Sequence, residues 1–276
     1  MKTSDANQPW ALVTGASAGI GQEFCVQLAR RGYNLVLVAR REDRLHALAK
    51  KLKTDFEVDC SIQPLDLATP QACAKLATAI DRQNIQPEFL VNNAGLGMPG
   101  HFIDIDWQEH SRFIQLMMTT VCELTWRLLP GMQSRQRGFI INVASLAGLI
   151  PGSAGHTLYG ASKAFLIRFS ESLAQENADT GIRVSALCPG FTYSEFHDAN
   201  DTRQQVSQLP SWMWMEAEPV VAFGIDSVIG KKHRVVAIPG QVNRSIAKLS
   251  ATMPEAVIDQ LVRRIAKKIR TRPAHD

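Results

Sequence analysis

Through the first 190 residues, short apolar runs alternate with segments of helical periodicity, and that alternation restricts the chain more than any other feature. The runs are Trp10–Thr14, Asn34–Ala39, Ser61–Pro64, Phe89–Asn92, Gly138–Val143 and Arg183–Leu187, with a further one at Arg234–Ile238. Each is too brief for a helix, is apolar on both faces, and leads into a turn containing Gly, Asp or Asn. Strands of that kind must be covered on both sides, and parallel strands need long crossover connections. Helices satisfy both demands. The segments Gly21–Arg31, Arg44–Lys53, Pro70–Arg82, Trp107–Gln133 and Leu158–Asn177 supply them. The expected fold class is α/β, a doubly wound parallel sheet of about seven strands with helices on both faces.

No linker or internal repeat divides residues 1–276, so a single domain is expected. Two regions break the alternation. Residues 191–219, an expected substrate loop, carry Trp212-Met213-Trp214-Met215 between Pro210 and Pro219. Four consecutive large apolar residues suit a lid or pocket wall, or equally a loop helix packed into the core. Residues 240–276 read as a basic helical tail. Within Pro254–Arg270, Val257, Leu261, Ile265 and Ile269 recur every four residues, opposite Arg263, Arg264, Lys267, Lys268 and Arg270. The pattern describes a surface helix docked on its apolar stripe, with membrane-surface or subunit contact as the alternative.

With 45% apolar and 20% charged residues, the composition excludes disorder and coiled coil, and no apolar run is long enough to span a bilayer. The polar start Met1–Pro9 has no secretory signal, and five scattered cysteines form no C-x-x-C pair; reduced thiols in a cytoplasmic protein are expected. The net charge of +4 is concentrated in the tail, where eleven Lys/Arg face three Asp/Glu from Lys231 onward. That distribution makes no case for nucleic acid. The seven histidines form no H-x-x-x-H pair, so no metal site is expected.

After the first strand comes Thr14-Gly15-Ala16-Ser17-Ala18-Gly19-Ile20-Gly21, which opens directly into a helix. Glycines at these points allow a tight turn and a close approach to a pyrophosphate, while the helix N-terminus offers N–H groups and partial positive charge. This is the phosphate cradle of a Rossmann-type sheet, with Gly15, Ser17, Ala18, Gly19 and Ile20 as its candidate contacts. The end of the second strand selects the dinucleotide. An acidic residue there would bind both ribose hydroxyls; here Ala39 is followed by Arg40 and Arg41, which suit a 2′-phosphate dianion. The expected cofactor is therefore NADP(H). Asp66, with Leu67 beside it, is placed to accept from the adenine amino group, and Asn93, Ala94 and Gly95 to bring backbone close to the adenine ribose.

Ser145 closes the fifth strand, and fourteen positions later Tyr159-Gly160-Ala161-Ser162-Lys163 begins a helix. Tyr159 and Lys163, at i and i+4, share one helical face. A phenol titrates near pH 10, so it needs a neighbouring ammonium and the charge of a nicotinamide to act near neutrality. Ser145 can donate to a carbonyl or alkoxide oxygen.

From Trp10 to Phe196 the chain resembles the short-chain dehydrogenases/reductases of the NADP-preferring type. The resemblance is carried by T-G-x-x-x-G-I-G (Thr14–Gly21), N-N-A-G (Asn92–Gly95), Ser145, Y-x-x-x-K (Tyr159–Lys163) and Pro189-Gly190. It implies Tyr159 as general acid/base, Lys163 lowering its pKa and holding the nicotinamide ribose, and Ser145 orienting the substrate oxygen. It also implies that Pro189, Gly190, Thr192 and Ser194 contact the nicotinamide end. Homodimers or homotetramers packed through the helices containing Trp107–Gln133 and Leu158–Asn177 would follow. One position departs from the pattern. The family's usual asparagine, thirteen residues before Pro130, is Met117 here, and a thioether cannot anchor a relay water beside Lys163. Thr119 or Thr120 would have to stand in.

The expected activity is hydride transfer between NADP(H) and a ketone or secondary alcohol. The Trp212/Trp214 pair points to a lipophilic small-molecule substrate, such as a 3-oxoacyl chain, a steroid-like ketone or an aromatic ketone. The alternative is a catalytically weakened NADP(H)-binding regulatory protein, for which Met117 is the sole support.

Overall fold

Residues 8–98, 100–196 and 209–253 are described in the computed structural model of the chain. In chain order the first half comprises β1 (Trp10–Thr14), α1 (Gly19–Arg30), β2 (Asn34–Ala39), α2 (Glu42–Phe56), β3 (Cys60–Pro64), α3 (Ala72–Arg82) and β4 (Pro87–Asn92). Then come α4 (Trp107–Ile114), α5 (Thr120–Ser134), β5 (Gly138–Val143), α6 (Thr157–Glu176) and β6 (Ile182–Leu187). The last elements are β7 (Phe191–Thr192), β8 (Trp214–Met215), α7 (Ala217–Ile229), β9 (Val236–Ala237) and α8 (Gln241–Thr252).

Seven strands pair in the order β3-β2-β1-β4-β5-β6-β9, all in parallel. The order reverses between β1 and β4, so a crevice opens beyond their carboxyl ends, where doubly wound sheets bind ligands. Alternate residues of each strand feed two apolar layers. One layer joins Ala11, Val13, Leu35, Leu37 and Ile141 to Phe24 and Leu28 of α1, Leu45 and Leu52 of α2, and Val221 and Ile225 of α7. The other joins Leu12, Val36, Leu90 and Ile140 to Leu76 and Ile80 of α3, Leu124 and Met132 of α5, and Leu173 of α6. Each fully buried side chain of this size contributes about 1.5–3 kcal/mol.

The sheet follows the sequence expectation, with ends moved by a few residues. Three differences have physical causes. The segment expected as one helix over Trp107–Gln133 is interrupted by a π-helical turn at Gln115–Thr119, a widening that recurs at functional sites. Helix α7 escapes periodicity because Val220, Val221, Gly224, Ile225, Ser227 and Val228 are all buried, leaving no clear polar face. The final strand shrinks to Val236–Ala237, paired with Ala186 and Leu187. The stripe expected over Pro254–Arg270 lies outside the described residues. All five cysteines are unpaired, and no described helix is long and apolar enough to cross a membrane.

Candidate active site

The turn between β1 and α1 is held from two sides. Ala16 N–H donates to the Val38 carbonyl at 3.2 Å. The Asn93 amide, at the end of β4, donates to the Thr14 carbonyl at 2.9 Å and reaches the Gly15 carbonyl at 3.4 Å. The Thr14 hydroxyl accepts from Asn93 N and Ala94 N, both at 2.9 Å, and donates to the Val91 carbonyl at 3.2 Å. Asn93 therefore acts first through its side chain, as a brace for the turn. Gly19 sits at φ +53°, and a Cβ there would lie 2.8 Å from Ser194 Cβ, so glycine both permits the turn and admits the segment that crosses it. Helix α1 starts at Ala18 with no side-chain cap and no acidic residue in its first turn. Its leading N–H groups are thus directed at the crevice, as an anion requires. Ile20 packs into the first apolar layer.

At the adjoining edge, Arg41 donates to Ser17 Oγ through Nε at 3.3 Å and Nη2 at 3.1 Å. The structure thereby joins two residues that the sequence suggested separately, and Arg40 is exposed beside them. Two further residues, invisible to sequence reasoning, complete the cluster. Glu195 accepts from Arg41 Nη1 at 3.0 Å, and Arg44 Nη1 lies 2.7 Å from both of its carboxylate oxygens. The two guanidiniums hold the Glu195 carboxyl below the usual carboxylate range. Asp66 accepts from Ala68 N at 3.0 Å and from Arg112 Nη2 at 3.0 Å, which places a cation beside its carboxylate. Leu67 is buried, and its carbonyl accepts from Thr120 Oγ1 at 2.7 Å.

Across the crevice, α6 carries Tyr159 and Lys163. A buried polar chain seats this helix: Asn92 Nδ2 donates to Asn142 Oδ1, Asn142 Nδ2 to Ser170 Oγ, both at 2.9 Å, and Ser170 Oγ to the Leu166 carbonyl at 2.7 Å. Ser145 follows β5 in extended conformation, and its Oγ accepts from Ala147 N at 3.1 Å. The short turn it starts presses on α6 at Gly148, where a Cβ would stand 2.5 Å from the Lys163 carbonyl carbon. Ser145 is thereby brought to the Tyr159 phenol, to which it is hydrogen-bonded. Lys163 Nζ lies 5.6 Å from the Tyr159 ring centroid and donates to the Val143 carbonyl at 2.8 Å.

In the protein alone, burial pushes the Tyr159 phenol above its ordinary value, and only the Ser145 hydrogen bond opposes it. Burial lowers Lys163 to about 8, offset in small part by the Cys188 thiol. Lys163 Nζ stands 5.6 Å from the ring centroid, and the lowering expected from the sequence also requires the charge of a bound nicotinamide.

Pro189, Gly190 and Thr192 continue from β6 into β7, with Leu146 N donating to the Pro189 carbonyl at 2.8 Å. Strand β7 pairs in parallel with β8, which places the Trp-Met-Trp-Met segment beside the crevice. Trp214 stacks on Tyr193 at 4.8 Å and packs on Phe191 at 5.5 Å, whereas Trp212 is exposed. Phe196 and His156 approach the Tyr159 ring at 6.0 and 6.1 Å. Met117 lies buried in the π-helical turn; a Cβ at Gly95 would be 3.4 Å from its sulfur. Of the two threonines, Thr120 donates to the Leu67 carbonyl and Thr119 is exposed.

The comparisons agree with this geometry. The model of the short chain dehydrogenase family matches residues 9–205. A 7beta-hydroxysteroid dehydrogenase of Mediterraneibacter gnavus is 32% identical over 183 residues, 66% of this chain and 68% of that protein. A very-long-chain 3-oxoacyl-CoA reductase of Bos taurus is 28% identical over 267 residues, 95% of this chain and 81% of the relative. Among solved structures, a short-chain dehydrogenase from Sphingobium yanoikuyae in complex with NADPH superposes with a TM-score of 0.77 at 30% identity, covering 90% of this chain and 97% of that one. With its glycine turn at a strand-order reversal and a tyrosine, lysine and serine converging across the crevice, the chain belongs to the short-chain dehydrogenase family of oxidoreductases.

Proposed function

We propose that the protein is an NADP(H)-dependent reductase of bulky, lipophilic ketones, running in the opposite direction on the matching secondary alcohols. The observation that carries the reading is the meeting of Ser145, Tyr159 and Lys163 at the mouth of a crevice whose other wall is a glycine turn backed by Ser17, Arg40 and Arg41. The residues fit the dinucleotide on the structure's own terms. Helix α1 offers an uncapped N-terminus, and Arg41, which also donates to Ser17 Oγ, already pairs with an anion in the Glu195 carboxylate.

NADP(H), when bound, supplies the hydride. Everything else falls to the chain. Gly15, Ala18, Gly19 and Ile20 offer backbone to the pyrophosphate, Ser17 and the arginines the 2′-phosphate, and Asp66 with Leu67 the adenine. Asn93, Ala94 and Gly95 flank the adenine ribose, while Pro189, Gly190, Thr192 and Ser194 wall the nicotinamide end. Ser145 Oγ orients the substrate oxygen, Tyr159 gives or takes its proton, and Lys163 holds the ribose. Phe196 lies 6.0 Å from the Tyr159 ring, and Phe191, Tyr193 and Trp214 cluster together in the β7–β8 segment; this aromatic surface supports a hydrophobic substrate. The names of the hydroxysteroid and 3-oxoacyl relatives point the same way. Assembly through α5 and α6 is supported by Trp126, 70% exposed on α5, and by the Phe165–Phe169 stack on α6.

The test follows NADPH absorbance with a panel of steroid, 3-oxoacyl and aryl ketones. Tyr159→Phe should lower turnover by about 10²–10⁴-fold while NADPH still binds. The buried Met117 supports the second reading, a binding protein with slowed or lost turnover; NADPH binding without consumption, unchanged in Tyr159→Phe, would decide for it.

A further inference from the structure

Glu195 stands where its charge is least expected. It reaches back 154 positions along the chain to Arg41, at the same guanidinium that holds Ser17 Oγ, and its second oxygen is shared with Arg44. We propose that Glu195 is an internal counter-ion of the 2′-phosphate cradle, and that it sets the discrimination between phosphorylated and unphosphorylated dinucleotides. This rests on the cofactor reading above and deepens it.

The carboxylate is delivered by seated backbone. Ser194 packs against Gly19 of the glycine turn, its Oγ donates to the Thr192 carbonyl at 3.4 Å, and Phe196 N donates to Ser194 Oγ at 3.4 Å. The ion pairs themselves are half-exposed, at 42–43% for the arginines and 50% for Glu195. Pairs with that much solvent are weak and exchangeable, so a dianion can take Arg41 from a monoanion. A 2′-phosphate arriving at Ser17 and Arg41 must displace the Glu195 carboxylate or bind beside it against like-charge repulsion. Either way the phosphorylated cofactor alone is penalised, because NADH carries a hydroxyl there and leaves the ion pairs intact. Displacement has a second effect. Residues 194–196 then keep only the Arg44 half of their tie, and Phe196, 6.0 Å from the Tyr159 ring, belongs to that segment. The phosphate end of the crevice is thereby linked to the wall of the catalytic tyrosine through three residues.

The experiment is titration calorimetry of the full chain with NADPH and with NADH, for the wild type, Glu195→Gln and Arg41→Gln, at low and at high salt. Glu195→Gln should tighten NADPH about 3–10-fold at low salt and leave NADH within about twofold, and the gap should narrow at high salt. Weaker NADPH binding in Glu195→Gln, equal shifts for both cofactors, or a gap insensitive to salt would overturn the proposal and leave Glu195 as a mere strap. Arg41→Gln keeps the two failures apart. If it weakens NADPH and NADH equally, the cofactor reading falls; if it weakens NADPH selectively while Glu195→Gln leaves the ratio unchanged, only this inference falls. Thermal melts of both variants confirm that the comparison is between folded proteins.

Discussion

Replacing Thr14 by valine isolates the contribution of one hydroxyl to the crevice. Thr14 is 2% exposed, and its Oγ1 accepts from the N–H groups of Asn93 and Ala94 at 2.9 Å while donating to the Val91 carbonyl at 3.2 Å. Valine keeps the shape and the β-branching, so packing and strand preference stay as they were. What disappears is the acceptor for two donors and the donor for one carbonyl. A buried polar group left without a partner costs about 1–3 kcal/mol. Asn93 and Ala94 are only half-buried, so water recovers part of that cost, and a net destabilisation of about 2–4 kcal/mol is expected. That is roughly a 30- to 900-fold change in the folding equilibrium. Urea unfolding should show a lower midpoint with the same slope, since the surface exposed on unfolding is unchanged. Cofactor affinity should fall as well, because the Asn93 amide that braces Thr14 and Gly15 is released with its backbone. A loss of stability below about 0.5 kcal/mol, the scatter of ordinary surface substitutions, would refute the reasoning.

Lys163 should be a residue that works at the expense of stability. Burial lowers it to about 8, so between that pH and its ordinary 10.5 the unfolded chain holds a proton that the folded chain has released. Stability should therefore rise with pH across this window, and below it the cost of the buried ammonium is present in full. Lys163→Met should accordingly be more stable than the wild type at pH 7, by about 1–3 kcal/mol after allowing for the lost bond to the Val143 carbonyl. Its advantage should shrink toward pH 10.5, and its turnover should be lost; melting curves at several pH values check the first part and NADPH consumption the second. Arg40→Ala should weaken NADPH about tenfold or more while sparing NADH, and an equal effect on both, measured by calorimetry, would remove Arg40 from the phosphate site.

The sheet and the glycine turn were legible because their causes are local. A strand buried on both faces shows itself in five or six consecutive residues, as Leu35–Ala39 does, and a turn that needs glycine says so at the turn. The pairing of Tyr159 with Lys163 is likewise local, four residues apart on one helix. What escaped has its cause elsewhere in the chain. Nothing near Glu195 announces Arg41 and Arg44, and nothing near Asn93 says that its amide faces the Thr14 carbonyl, 79 positions away. Helix α7 was missed for the opposite reason: its exposed face carries only Glu218 and Asp226 as charged residues, too few to betray its period. The raised phenol of Tyr159 comes from its burial, which spacing along one helix cannot report.

Asn92, Asn142 and Ser170, with Thr125 beside them, pass hydrogens from strand to strand to helix inside a largely apolar layer. Sliding α6 along its axis by a turn would take Ser170 away from the buried Asn142 amide and leave that donor in oil, which favours a single berth for the helix. The tyrosine riding on it inherits its aim from amides buried beneath it.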